Sequence, residues 1–195
     1  MKKIIAMLLA VLMVASLAAC GNNQPAATEP QEAAPASALE ILQNVWAKYA
    51  ETEMFAVAGG AGETMVFDGA ATVDMSVNAE DLSYIVYVPA EQLANIDGAA
   101  TMVHAMNGNI FSSAALHMVE GADIQAFATA LKDALLSTRF MCGSPEKLVI
   151  ATIADEYVVV AFGLDNADAQ NITVFNTHLT EAYAGAKVLF TENFA

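Results

Sequence analysis

Few side chains in this chain could do chemistry, and their spacing limits what it could be. There are two thiols, Cys20 and Cys142, and three imidazoles, His104, His117 and His178. Cys142 with a histidine from elsewhere is the minimum for a cysteine nucleophile, but Phe140-Met141-Cys142-Gly143 matches no local motif. It reads as the apolar end of a helix, so the expectation is a buried structural thiol. The histidines form no His-Glu-x-x-His, and no Cys-x-x-Cys joins them, so nothing calls for a metal or a cofactor. Asp165-Asn166-Ala167-Asp168 clusters oxygens without the alternation and closing glutamate of a calcium loop, and helix capping accounts for it better. Glu80-Asp81 and Asp155-Glu156 are adjacent pairs whose side chains diverge, not a glycosidase couple. Ser112-Ser113 sits in a strand-like run with no adjacent base, and no Gly-x-Ser-x-Gly occurs. Gly59-Gly60-Ala61-Gly62 lacks the Lys-Ser/Thr of a phosphate loop and reads as a turn. No catalytic, cofactor-binding or metal-binding residue is therefore assigned.

Cys20 is different, because its context gives the thiol a task. Lys2 and Lys3 precede an uncharged apolar run from Ile4 to Leu17, too short for a comfortable membrane span. Two small residues, Ala18 and Ala19, then lead into the thiol. Leu17-Ala18-Ala19-Cys20 resembles a bacterial lipoprotein signal with its lipobox. The resemblance implies a diacylglycerol thioether on Cys20, cleavage between Ala19 and Cys20, and acyl chains of the palmitate type. Two or three such chains anchor a protein durably where one is marginal. It also implies a place on the outer, extracytoplasmic face of the cell membrane. Gly21 in the next position carries no aspartate-type retention signal.

From Cys20 to Ser37 the chain is polar and small, with Pro25, Pro30 and Pro35 recurring. Such a segment cannot bury enough apolar surface to offset its ordering entropy and reads as a flexible tether. The expected organisation is a signal peptide over 1–19, a lipid-anchored tether over 20–37 and one globular domain over 38–195. Roughly 160 residues suit a single core. With one thiol left after Cys20, that core must stabilise itself without an internal disulfide. Loss of Lys2 and Lys3 makes a formal net charge of −15 two units more negative. A phosphate backbone would be repelled, which excludes nucleic acid, and direct docking of the domain on an anionic membrane is disfavoured. A solvated acidic surface accounts for most of this charge.

The elements follow from periodicity and punctuation. Ser37 with Glu40 three residues on is a capping box, and Leu39, Leu42, Val45, Trp46 and Tyr49 continue a helix to about Thr52. Trp46, the one tryptophan, is expected as a core anchor. Stretches Thr64–Phe67 and Ala70–Val77 are β-prone. Leu82 to Val88 is rich in β-branched and aromatic residues and favours a strand, although Asn78 to Asp81 could equally start a helical turn. After Pro89, the positions Leu93, Ile96, Ala100, Val103 and Met106 fit helical spacing, interrupted by Gly98. Ile110 to Val119 reads as a strand and Asp123 to Phe140 as a helix with Ile124, Phe127, Leu131 and Leu135 on its stripe. A hairpin spans Leu148–Ile153 and Tyr157–Phe162. Asp165 would cap a last helix lined by Ile172, Phe175, Leu179 and Tyr183, and Lys187–Thr191 a final strand, compatible with one parallel neighbour. The irregular alternation predicts an α+β fold, its helices packed on one face of a mainly antiparallel sheet.

The strand, the helix opened by Gly121-Ala122-Asp123, Pro145-Glu146-Lys147-Leu148-Val149-Ile150, Asp155-Glu156-Tyr157-Val158-Val159-Val160 and the helix starting at Asp165 together resemble a family of small lipoproteins from clostridia and related Gram-positive bacteria. That family's domain has no assigned function. The likeness spans about 78–183 and implies fold, anchoring and a Gram-positive source, but no active residues. Anchor, spacer, compact domain and missing chemistry point to a non-enzymatic binding or interaction module at the cell envelope, with another envelope protein or a small ligand as its partner. The alternatives are a small extracytoplasmic enzyme acting through Cys142 or a carboxylate cluster, and the solute-binding component of a transporter.

Overall fold

The structure is a computed structural model that describes residues 34–165 and 171–195. The segment expected to be a signal peptide, Cys20, the expected tether up to residue 33, and Asn166 to Asp168 lie outside the described residues. The fold is α+β, an eight-stranded antiparallel sheet with helices in a single domain. In chain order the elements are α1 (Ala38–Trp46), β1 (Val57–Gly59), β2 (Val66–Phe67), β3 (Ala71–Val73), α2 (Leu82–Ile85), β4 (Ile96–His104), β5 (Phe111–Met118), α3 (Ile124–Ser137), β6 (Lys147–Ile153), β7 (Tyr157–Gly163), α4 (Ile172–Ala182) and β8 (Lys187–Asn193). The sheet runs β2-β1-β4-β5-β7-β6-β8, and β3 shares the outer side of β4 with β1.

The helices occupy both faces of this sheet, not one. Alternate residues of the central strands divide between two cores. Phe111, Ala115, Val149, Ala151, Val159 and Ala161 pack with α1 and α4. Ala114, Leu116, Leu148, Ile150, Val158, Val160 and Phe162 pack with α2 and α3. Crossover handedness explains the division. β5 and β6 run parallel with β7 between them, and β7 and β8 run parallel with β6 between them. Both connections step across the sheet in the same direction, but from strands that point oppositely. A single hand of crossover, right-handed by strong preference, then places α3 and α4 on opposite faces. The same order makes β8 antiparallel to β6, so the parallel neighbour allowed for β8 does not occur.

Two elements differ from the expected type. The segment read as a helix through Ile96, Ala100 and Val103 is β4. It is buried on both faces over Ala99–Met102, and such a strand shows continuous apolar character that mimics a helical pattern. Leu82–Ile85 is a helical turn instead of a strand. It closes with Tyr87 in the left-handed region (φ 60°) and the Val88 N–H donating to the Leu82 carbonyl, 3.2 Å away. The other differences are at ends. α1 stops at Trp46 and tightens through bonds from Lys48 and Tyr49 N–H to the Val45 and Trp46 carbonyls. α4 starts at Ile172, capped by Asn171. Asp165 still reaches that helix, accepting from the Thr173 N–H at 3.1 Å while it pairs with Lys147.

Candidate functional site

A cleft of about 770 Å³ opens beside the start of α1. Its walls are small and apolar, from Ala36, Ala38, Leu39, Val73, Met75 and Ala99. Asp74, Ser76, Asp97 and His117 bring polar atoms to it, and Tyr157 closes one side. Among the described residues, no lysine or arginine lines it.

Local sequence builds each part. Half of the expected capping box is present: Ser37 Oγ accepts from the Glu40 N–H at 3.1 Å, but the Glu40 carboxylate takes the N–H of Ala36, at 2.7 Å, in place of that of Ser37. This fixes the chain just before the helix. Residues expected to end the tether therefore lie against the domain, and the buried Tyr157 hydroxyl donates to the Pro35 carbonyl at 3.2 Å. Asp97 owes its position to a β-bulge. Ile96 pairs with Met118 and Gly98 with His117, which leaves Asp97 as an extra residue on β4. A bulge re-aims a side chain that regular alternation would send elsewhere, and the Asp97 carboxylate is hydrogen-bonded to His117 Nδ1. Gly98 permits the approach, since a Cβ there would lie 3.3 Å from the His117 Cβ. The His117 ring packs on the Tyr157 ring, with centroids 4.8 Å apart.

A carboxylate only accepts, so Nδ1 carries the proton and Nε2 of neutral His117 is an acceptor. Nε2 has no hydrogen-bond partner among the described residues. Asp74 accepts from the Ser76 Oγ at 2.6 Å and the Ser76 N–H at 3.0 Å, and these bonds hold its carboxyl below the usual range. Burial, with nearby Glu156, Glu40 and Asp97, pushes the Tyr157 phenol up. A smaller recess of about 340 Å³ adjoins the same His117, bordered by Glu120, Asp155 and Glu156.

The remaining candidates are scattered. Cys142 is exposed, which corrects its expected burial in a helix end. α3 ends at Ser137, and Cys142 sits in a loop at φ 65°. Side-chain amides of Asn107 and Asn109 hold the carbonyls of Met141, Cys142 and Gly143. With its backbone tied inward, the thiol faces solvent. His104, at the other end of β4 from Asp97, accepts N–H bonds from Met106 and Asn107 through Nδ1 and stacks on Phe55. Burial lowers its pKa. His178 on α4 lies 3.4 Å from Glu53 and 3.1 Å from Glu181, against Tyr49. Trp46 is half-buried against the α1–α4 core, paired with Tyr49 and Phe55. The Ser112 and Ser113 hydroxyls donate to the Gly108 and Met102 carbonyls and are structural. The glycine-rich turn is pinned by Thr101, whose hydroxyl bonds both the N–H and the carbonyl of Gly60. Among the described residues no group of three His, Cys, Asp or Glu could hold a metal ion, and no helix is long and apolar enough to cross a membrane.

Sequence reasoning missed Asp97 and its partnership with His117. The signal was Asp97-Gly98 inside an apolar run, which marks a bulge once the run is read as a strand. No protein-family model, curated protein or solved structure matches this chain.

Proposed function

We propose that this chain is a lipid-anchored binding module on the outer face of the cell membrane, held there through Cys20, which takes a small ligand in the cleft between α1 and the β3–β4–β5 end of the sheet. The cleft carries the reading. It is apolar-walled, with a few polar groups converging on it, the usual make-up of a small-molecule site. The Asp74 and Asp97 carboxylates on its lining favour a neutral or cationic ligand with an apolar body and disfavour anions. The motif around Cys20 supports the anchor, and the acidic composition supports a partner other than nucleic acid. Ala36 lines the cleft and Pro35 precedes it, so the cleft lies at the N-terminal start of the described domain.

The test is native mass spectrometry of protein released gently from its own membranes, alongside NMR titration with a library of neutral and cationic fragments. The expected result is a bound small molecule, or fragment shifts confined to residues 36–39, 72–76 and 97–99, lost in Leu39→Trp, which fills the groove. A bare protein mass together with no localised shifts would refute a ligand site.

A further inference from the structure

Beyond binding, and resting on the cleft being a ligand site, we propose that the Asp97–His117 pair makes it hydrolytic toward small neutral carboxylic esters. Three features meet there. First, His117 Nδ1–H is committed to the Asp97 carboxylate, which fixes the tautomer and leaves the Nε2 lone pair without a partner among the described residues. An imidazole oriented this way by a carboxylate is the arrangement of a general base. Second, a β-bulge brings the pair together on the partly exposed rim of the cleft. It needs an inserted residue in β4 and a glycine beside it to bring the carboxylate to the ring. The Tyr157 ring packs on the other partner. Third, the imidazole borders an apolar cavity large enough for an acyl chain. The first-turn amides of Ala38 and Leu39 belong to residues of the same wall. Helix geometry leaves such N–H groups without an internal partner, as donors for a developing oxyanion.

The reaction balances with water alone. His117 Nε2 takes a proton from a water molecule as its oxygen bonds to the acyl carbon. Collapse of the tetrahedral oxyanion breaks the bond from acyl carbon to alkoxy oxygen. The imidazolium returns the proton to the departing alkoxide, giving acid and alcohol. Asp97 is a positioning residue that orients the ring. Ser37 and Ser76 take no part as nucleophiles, since Ser37 Oγ caps α1 and Ser76 Oγ is bonded to Asp74. The carboxylates at the rim repel anionic esters, and the apolar walls favour short alkyl acyl groups.

The probe is p-nitrophenyl butyrate with the full chain, its lipid included, and the amide isostere 4-nitrobutyranilide as a non-hydrolysed binding control. We expect saturable release of nitrophenol, reduced about 100-fold or more in both His117→Ala and His117→Gln. Asp97→Asn should lower kcat while leaving KM near the wild-type value. Thermal unfolding of each variant separates loss of the dyad from loss of the fold. Cys142→Ser should retain the full rate, which excludes acylation of the exposed thiol as the source. Turnover unchanged in the His117 variants, or no turnover above buffer, overturns the proposal. If the anilide binds in saturation-transfer NMR while the ester is not hydrolysed, catalysis fails and the binding reading stands. If neither probe engages the cleft, both fail.

Discussion

Tyr49 offers a perturbation whose sign and size follow from its surroundings. Its side chain is 4 % exposed, packed among Trp46, Phe55 and His178. Its hydroxyl is buried without a hydrogen-bond partner among the described residues. A polar group in that position costs about 1–3 kcal/mol relative to a satisfied one. Tyr49→Phe removes the cost and keeps the ring, so it should stabilise the fold by about 1 kcal/mol at neutral pH. Charge gives a second readout. Burial first, and the nearby Glu53 carboxylate second, push the Tyr49 phenol far above its ordinary value of 10.0. The folded state therefore keeps a proton that the unfolded chain loses. The contribution is fully present below pH 10 and is lost as pH rises above it, by about 1.4 kcal/mol per unit for one proton. Urea unfolding followed by Trp46 fluorescence from pH 7 to 11 measures both effects. Wild-type stability should fall steeply above pH 10, and Tyr49→Phe should remove much of that slope, leaving the smaller share from Tyr157. A destabilised Tyr49→Phe at pH 7, or an alkaline slope equal to wild type, would refute the reasoning.

Three other outcomes are expected. Ala154 and Asp155 both have positive φ, 56° and 54°, in the β6–β7 turn. Ala154→Gly should relieve a left-handed alanine and raise the unfolding free energy by about 0.5–1 kcal/mol in the same urea assay. The Cys142 thiol should react with an aromatic disulfide reagent in the native protein as fast as in denaturant, because it is exposed and its loop is tied down only through carbonyls. Burial raises the Asp165 carboxyl, but Lys147 and Thr173 outweigh it and hold it below the ordinary 3.8. Its stabilisation is present above that pH and is lost as pH falls through the lower folded value. Asp165→Asn should therefore weaken the fold at pH 6 and flatten its acid limb in a pH series of thermal melts.

What the sequence made legible was set by local signals. Ser37 with Glu40, Asp123 before α3, and the β6–β7 hairpin carry their punctuation in neighbouring residues, and each is found where expected. The stripe Phe127, Leu131 and Leu135 is buried as its spacing requires. β4 carries no strand alternation because both its faces are covered over Ala99–Met102, so its sequence resembles a helical pattern. The placement of helices on two faces depends on strand order, which residues far apart decide, and no window of sequence contains it. The cleft was illegible for the same reason. Its walls come from residues near 37, 74, 98, 117 and 157, joined only by the sheet. The Asp97–His117 pairing joins residues 20 positions apart across two strands, so no sequence motif marks it. Phe140 and Met141 before it give Cys142 the local look of a buried helix end. Phe140 does pack inward, against Tyr87, Phe162 and Phe194, but the backbone turns before the thiol.

The central claim, a cleft-bearing module attached to the membrane by one modified sulfur, is tested most directly by intact-mass and N-terminal peptide analysis of the native protein extracted from its membrane. The account predicts a chain that starts at Cys20 and carries diacylglycerol on that residue. A mature chain starting elsewhere, or starting at Cys20 with an unmodified thiol, would contradict it.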